Sequence, residues 1–262
     1  MSSQHDLDTA IAMARLAGAL ALKHFRAIDQ LTIEQKGHQD LVSNADKEVE
    51  TLIRAEIARH WPNDGIVGEE HGVEAGTSGA EWVIDPIDGT ANFVRGIPQW
   101  CVSIARVRGG APEIGVVYEP VSDEMFAARR GGGATVNGRP MRVAPARDLT
   151  EGSVGTGFSA RIEAAHVVAA IGEIIAKGGV FFRNASGALM LAYVASGRLI
   201  GYIEEHMNSW DCMAALLMVE EAGGVVLPLD PATCVAEGGK IVAAGPGVYP
   251  EILGIAERTF GV

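Results

Sequence analysis

Apolar positions Leu7, Ile11, Ala14, Gly18, Ala21 and Phe25 recur at alternating steps of four and three, which predicts an amphipathic helix over residues 6–26. A polar stretch follows over 29–43, with Lys36-Gly37-His38-Gln39-Asp40 inside it, and reads as a loop or hairpin. Ser43 or Asn44 then opens a second helix. Asp46 stands in its first turn, Val49, Leu52, Ile53 and Ile57 form its buried stripe, and Trp61-Pro62 ends it. Beyond that point the period shortens. Ile66-Val67-Gly68 and Trp82-Val83-Ile84 are β-like runs that lead straight into acids, Glu69-Glu70 after the first and Asp85 after the second. Strands at 101–108, 115–119 and 124–128 make an antiparallel meander, with Asn137-Gly138 as a tight hairpin turn near its end.

After about residue 150 the rhythm alternates. Strands are expected at 153–157, 180–183, 199–204, 225–229 and 240–244. Helices are expected at 162–177, 188–196, 209–222 and 248–260, the third capped by Asn208 or Ser209 and stopped by Gly223-Gly224. The fold class is therefore α/β, with an α+β first half over 1–148 and an α/β second half over 149–262. No stretch near 145–152 is long enough to be a flexible linker.

Composition changes this picture in two respects. With 262 residues, 48% hydrophobic and 21% charged, the chain is ordinary globular material. Its formal net charge of −12, however, argues against a general affinity for nucleic acid or an anionic membrane. Cys101, Cys212 and Cys234 lack CxxC or Cys/His ligand spacing and read as reduced thiols. With a polar N-terminus and no membrane-length apolar run, they point to the cytoplasm.

The candidate chemistry lies in the acids. In Trp82-Val-Ile-Asp85-Pro-Ile-Asp88-Gly-Thr90 a strand delivers Asp85, and Asp88 follows across a turn with the Ile87 carbonyl between them. Such an all-oxygen set suits a hard divalent cation such as Mg²⁺ better than zinc. The amides of Gly89 and Thr90 open a helical turn and are candidate phosphate donors. Glu69 and Asp211 are the further candidates. Each acid also has a bland reading: Asp85 and Asp88 as helix caps in a surface turn, Glu69 as a solvated loop charge, Asp211 as a first-turn residue favoured by the helix dipole. Phosphate handling by so acidic a chain needs a local positive field. With no P-loop and scattered Lys and Arg, bound cations are the natural source.

Gly-Glu-Glu at 68–70, WVIDPIDGTANFVR at 82–95 and NSWD…EEAGG over 208–224, together with KGHQDLVSNAD at 36–46, resemble the signatures of the inositol monophosphatase family in order and spacing. The resemblance implies a layered αβαβα fold, a homodimer, and two or three Mg²⁺ held by Glu69, Asp85, the Ile87 carbonyl, Asp88 and Asp211. It implies attack by an activated water with no covalent phospho-enzyme, Glu69 and Thr90 orienting and deprotonating that water and Asp46 standing behind Thr90. Substrate contacts fall on Asp88, Gly89, Thr90, Gly187, Ala188, Glu204 and Asp211. Lys36 is a candidate to close over the site.

Glu204, seven residues before Asp211, suits either the hydroxyls of inositol 1-phosphate or the ammonium of histidinol phosphate. Glu205 and His206 beside it read as surface residues. Two departures from the family bear on substrate: Met213 where a small residue is usual, and Ser186-Gly187-Ala188-Leu189 where many relatives have Gly-Thr-Ala-Ala. The reading from another class is a regulatory or binding module without turnover.

Overall fold

A computed structural model describes residues 2–37, 40–158 and 162–262, with side chains described outside 35–37, 40 and 41. Helix α1 (Gln4–Phe25) leads to a hairpin of β1 (Ile33–Gly37) and β2 (Asp40–Ser43), then to α2 (Asn44–His60). The polar stretch after α1 thus resolves as a hairpin, while Lys36's approach to the site lies outside the described residues. Ser43 and Asp46 form a capping box at the start of α2.

The first sheet has eight strands: β3 (Gly65–Gly68), β4 (Gly72–Glu74), β5 (Ala80–Asp88), β6 (Cys101–Arg108), β7 (Ala111–Glu119), β8 (Glu124–Arg129), β9 (Gly133–Val136) and β10 (Arg139–Pro140). Their spatial order is β10-β9-β8-β7-β6-β5-β3-β4, antiparallel except where β3 lies parallel to β5. Asn137 and Gly138 both take positive φ, 47° and 75°, as a two-residue hairpin turn requires. The short α3 (Thr90–Phe93) follows β5 directly.

The second sheet has five strands: β11 (Ser153–Thr156), β12 (Val180–Phe182), β13 (Gly201–Met207), β14 (Val225–Val226) and β15 (Gly239–Ala244), in the order β12-β11-β13-β15-β14. Between them run α4 (Ala164–Ala176), α5 (Gly187–Ala195), α6 (Ser209–Glu221) and α7 (Cys234–Glu237), and α8 (Tyr249–Phe260) closes the chain. The strand expected over 225–229 is only two residues long, because Pro228 has no N–H to extend a ladder.

Alternation along the strands sorts the core into layers. Trp82 and Ile84 of β5 pack with Val49, Ile53 and Ile57 of α2 and with the inner face of α1, whereas Val83 between them faces α5 and α6. In the second sheet Ile241 and Ala243 face the same two helices, and Val242 and Ala244 face α4 and α8. The order is helices, sheet, helices, sheet, helices. This explains α5 and α6, which are apolar on all sides because a sheet covers each flank. Among the described residues, no helix is long and apolar enough to cross a membrane.

Candidate active site

The site forms where the C-terminal end of β5 meets the first turns of α5 and α6. Asp85 and Asp88 are three residues apart, which in a regular strand would send them to opposite faces. They do not diverge, because β5 carries a bulge. Asp85 faces Ser103 and Asp88 faces Cys101, so Pro86 and Ile87 together span the single β6 residue Val102. The extra residue turns Asp88 back onto the face shared by Val83 and Asp85. The strand expected to end at Ile84 therefore continues, irregularly, to Asp88.

Asp211 arrives from the first turn of α6, and one carboxylate oxygen each of Asp85, Asp88 and Asp211 lie within 4.8 Å of one another. Asp85 and Asp88 are buried and Asp211 is partly so. Burial first, then the charges of Glu69, Asp88 and Asp211, push the Asp85 carboxyl well above the ordinary carboxylate range. Burial, then Asp88, Glu69 and Glu204, do the same to Asp211. Glu69 stands half-buried beside this trio, near enough for its charge to act on Asp85 and Asp211.

Asp88 is better supplied with donors. Its Oδ2 accepts from the Ser186 hydroxyl at 2.6 Å and the Ala188 amide at 2.8 Å, and its Oδ1 from the Gly187 amide at 3.3 Å. It thus caps α5 from a distant strand, in place of the helix's own N-cap Ser186, whose side chain makes no capping bond. These donors pull against burial, which still leaves the Asp88 carboxyl raised. Two unit charges at this separation repel by about 3–4 kcal/mol at an effective dielectric near 20. A helix dipole returns about 0.3–1 kcal/mol. The two helix ends therefore cannot balance three ionised acids, and a proton or a cation must. The all-oxygen donor set fits a hard divalent cation.

On the other flank, Asp46 is fully buried. Its Oδ2 accepts from the Ser43 amide at 2.9 Å and hydroxyl at 2.6 Å, while its Oδ1 lies 3.2 Å from the Thr90 hydroxyl. Burial raises its pKa despite these donors. The Thr90 hydroxyl also lies 3.1 Å from the Ile87 carbonyl. Gly89, at φ 100°, makes the left-handed step that starts α3, a step a side chain would oppose.

Beside the acids opens a cleft of about 160 Å³ lined by Asp88, Gly157, Phe158, Arg183, Ala185, Gly187, Met190, Tyr202, Glu204, Met207 and Asp211. Glu204 is buried and accepts the Tyr202 hydroxyl at 2.5 Å. Of the other expected substrate residues, Gly187 lines the cleft, while the Ala188 amide is engaged by Asp88. Glu205 binds His166 at 2.9 Å and His206 Nε2 meets the Glu237 carbonyl at 2.8 Å, so neither lines the cleft. Arg183, Tyr202 and Met207 were not anticipated. Position at a strand end was the only sequence signal for Arg183, and Ala185 sits at φ 63°, which no sequence pattern announces. All three cysteines are free and buried, and burial holds their thiols above the usual range.

Comparison with known proteins agrees with this arrangement. The inositol monophosphatase family model matches residues 3–258. The Nus factor SuhB of Escherichia coli (strain K12) is 40% identical over 250 residues, covering 94% of each chain. Among solved structures, the extragenic suppressor protein suhB of Bartonella henselae superposes with a TM-score of 0.91 at 32% identity, over 97% of this chain and 99% of that one. An IMPase of Thermotoga maritima gives 0.86 at 30% identity, over 98% and 99%. The chain belongs to the inositol monophosphatase family, a phosphatase family, and has its fold.

Proposed function

We propose that the chain is a magnesium-dependent phosphomonoesterase acting on a small polyol monophosphate, inositol 1-phosphate in the first instance. The observation that carries this is the convergence of Asp85, Asp88 and Asp211 within 4.8 Å beside a cleft that Asp88 and Asp211 line, with Glu69 alongside. Glu69, Asp85, the Ile87 carbonyl, Asp88 and Asp211 would hold the ions. Bound magnesium supplies there the positive field for phosphate oxygens and leaving alkoxide and lowers the pKa of water.

The protein's own part is proton placement and orientation. When Thr90 donates its hydroxyl proton to Asp46, the remaining lone pairs on Oγ can accept from a water, and Asp46 supports the charge that develops. Glu69 guides the same water from the opposite flank. Gly89 and Thr90 offer amides to phosphate. Asp88, Gly187, Ala188 and Asp211 border the substrate, and Glu204 accepts from its hydroxyls. Homodimerisation belongs to the same reading, supported by the exposed Val168, Ile175, Val180 and Phe181 on α4 and the edge strand β12.

Histidinol phosphate is the alternative substrate, with Glu204 facing its ammonium. Regulation without turnover is a second reading, favoured by the name Nus factor SuhB carried by relatives. The test is phosphate release from the two esters, side by side, in magnesium and in chelator. Preference for inositol 1-phosphate, lost in chelator, is expected. Preference for histidinol phosphate reassigns Glu204 alone. No turnover of any small monoester in magnesium favours regulation.

A further inference from the structure

Helix α2 carries three charged residues one turn apart on a single face, Asp46, Glu50 and Arg54. Asp46 reaches the loop after β5. Glu50 and Arg54 reach the other acid-bearing loop, between β3 and β4. The Glu50 side chain is 0% exposed. Its Oε2 accepts the Glu70 amide at 2.7 Å, and its Oε1 accepts the His71 amide at 3.1 Å and Arg54 Nε at 2.8 Å. Arg54 also donates to the Gly72 carbonyl and lies 3.5 Å from Glu74. The backbone on both sides of Glu69 is therefore shaped by this pair. A Cβ at Gly68 would lie 2.1 Å from Glu50 Oε1, so the first residue of the Gly-Glu-Glu motif is glycine because the carboxylate rests against its backbone.

We propose that Glu50 is a positioning residue for Glu69, its buried carboxylate clamping the amides of Glu70 and His71 so that Glu69 is presented to the metal cluster in one orientation. The inference rests on the proposed metal site. Stability alone is a poor reason for the arrangement, since a buried ion pair seldom outperforms well-packed apolar residues. What the pair adds is direction: both carboxylate oxygens are aimed at the turn immediately following Glu69. With Asp46 holding Thr90 one turn earlier, α2 acts as a rail that fixes the two loops relative to each other.

The experiment is a calorimetric titration of the substrate-free full chain with Mn²⁺, comparing the native protein with Glu50→Gln and with Glu48→Gln on the exposed flank of α2. Glu50→Gln sets a side-chain NH₂ against backbone N–H donors. It should weaken Mn²⁺ binding by about 10–100-fold, the scale found when a group that orients a metal ligand is altered. In the same variant the magnesium needed for half-maximal turnover should rise by a similar factor, with KM for the ester at saturating magnesium roughly unchanged. Glu48→Gln should bind as the native chain does. If Glu50→Gln does not fold, Arg54→Lys serves, because it keeps a cation beside Glu50 but loses the fork to Gly72; a weakening of roughly three- to tenfold is expected. Native affinity in a folded Glu50→Gln, or in Arg54→Lys where that stands in, overturns the proposal. A native chain that binds no Mn²⁺ overturns the metal-site reading, and the proposal with it.

Discussion

Two groups of buried acids flank the cleft, and they are treated oppositely. On the α2 side, Asp46 and Glu50 have protein donors on both oxygens: Ser43 and Thr90 for the first, Glu70, His71 and Arg54 for the second. On the β5 side, Asp85 and Asp211 face mainly other carboxylates, and among the described residues Arg183 is the cation that lines the cleft wall. Burial penalises the charged form in both groups. The first is answered within the fold, whereas the second is left for something that binds. Acids of the first kind hold the structure in shape; acids of the second kind give up stability for a binding site.

That contrast can be broken most sharply at Asp85. Asp85→Asn keeps an oxygen for the Ile87 amide, now 2.8 Å away, and removes one of the mutually repelling charges. Magnesium-dependent phosphate release should fall by roughly 10³-fold, within the range for groups that act on reacting atoms. The chelated protein should nevertheless become more stable by about 1–3 kcal/mol, read from urea melts in EDTA. Loss of stability in EDTA would contradict the account of the cluster.

Asp46→Ala is the mirror experiment. It removes the capping box of α2 and leaves the Ser43 amide and hydroxyl without their acceptor, so stability should fall by about 1–2 kcal/mol with or without magnesium. Turnover should fall too, by roughly 100-fold. The two substitutions thus move stability in opposite directions while both damage catalysis.

The smallest effect is one of pH. Burial, reinforced by neighbouring acids, raises Asp85 and Asp211, and burial raises Asp46 and Asp88. An acid raised on folding contributes stability that is complete below its unfolded value, about 4, and is lost as pH climbs through the folded value. Without metal, stability should therefore drift down above that point. Magnesium supplies the missing countercharge, so its stabilisation should be greater at pH 8 than at pH 5.5, by a few degrees in Tm. Thermal scans in EDTA and in magnesium at the two pH values check the sign.

Legibility in the sequence followed distance along the chain. Helices α1 and α2 showed in their period, and the entry to α2 in a capping-type start at Ser43 or Asn44 with Asp46 in the first turn, which folding resolves to Ser43. The alternation after residue 150 announced the second sheet, although nothing in it showed that β13 pairs antiparallel with β15. Trp82 to Asp85 read as a strand meeting an acid, but the bulge that continues β5 to Asp88 depends on the register with β6, which a single strand cannot reveal. The metal-ligand candidates came partly from strand ends and helix starts and partly from family resemblance. Glu50 escaped notice because on α2 it looks like any helix-forming glutamate. Apart from Arg54 one turn on, its partners are the Glu70 and His71 amides, twenty and twenty-one residues away, and only folding brings them within reach. Arg183 and Tyr202 were missed for the same reason, as walls of a cleft assembled from four separate segments.

The bulge in β5 has one further effect. By leaving Pro86 and Ile87 out of the ladder, it frees a main-chain oxygen at Ile87 to face Thr90. An oxygen of this kind belongs to no side chain. A residue-by-residue scan would register Ile87 only as a buried aliphatic group and report lost packing, whatever else that position does. Only an edit to chain length, adding or removing one residue between the two aspartates, would reach it. At this point in the protein, the number of residues carries information that their identities do not.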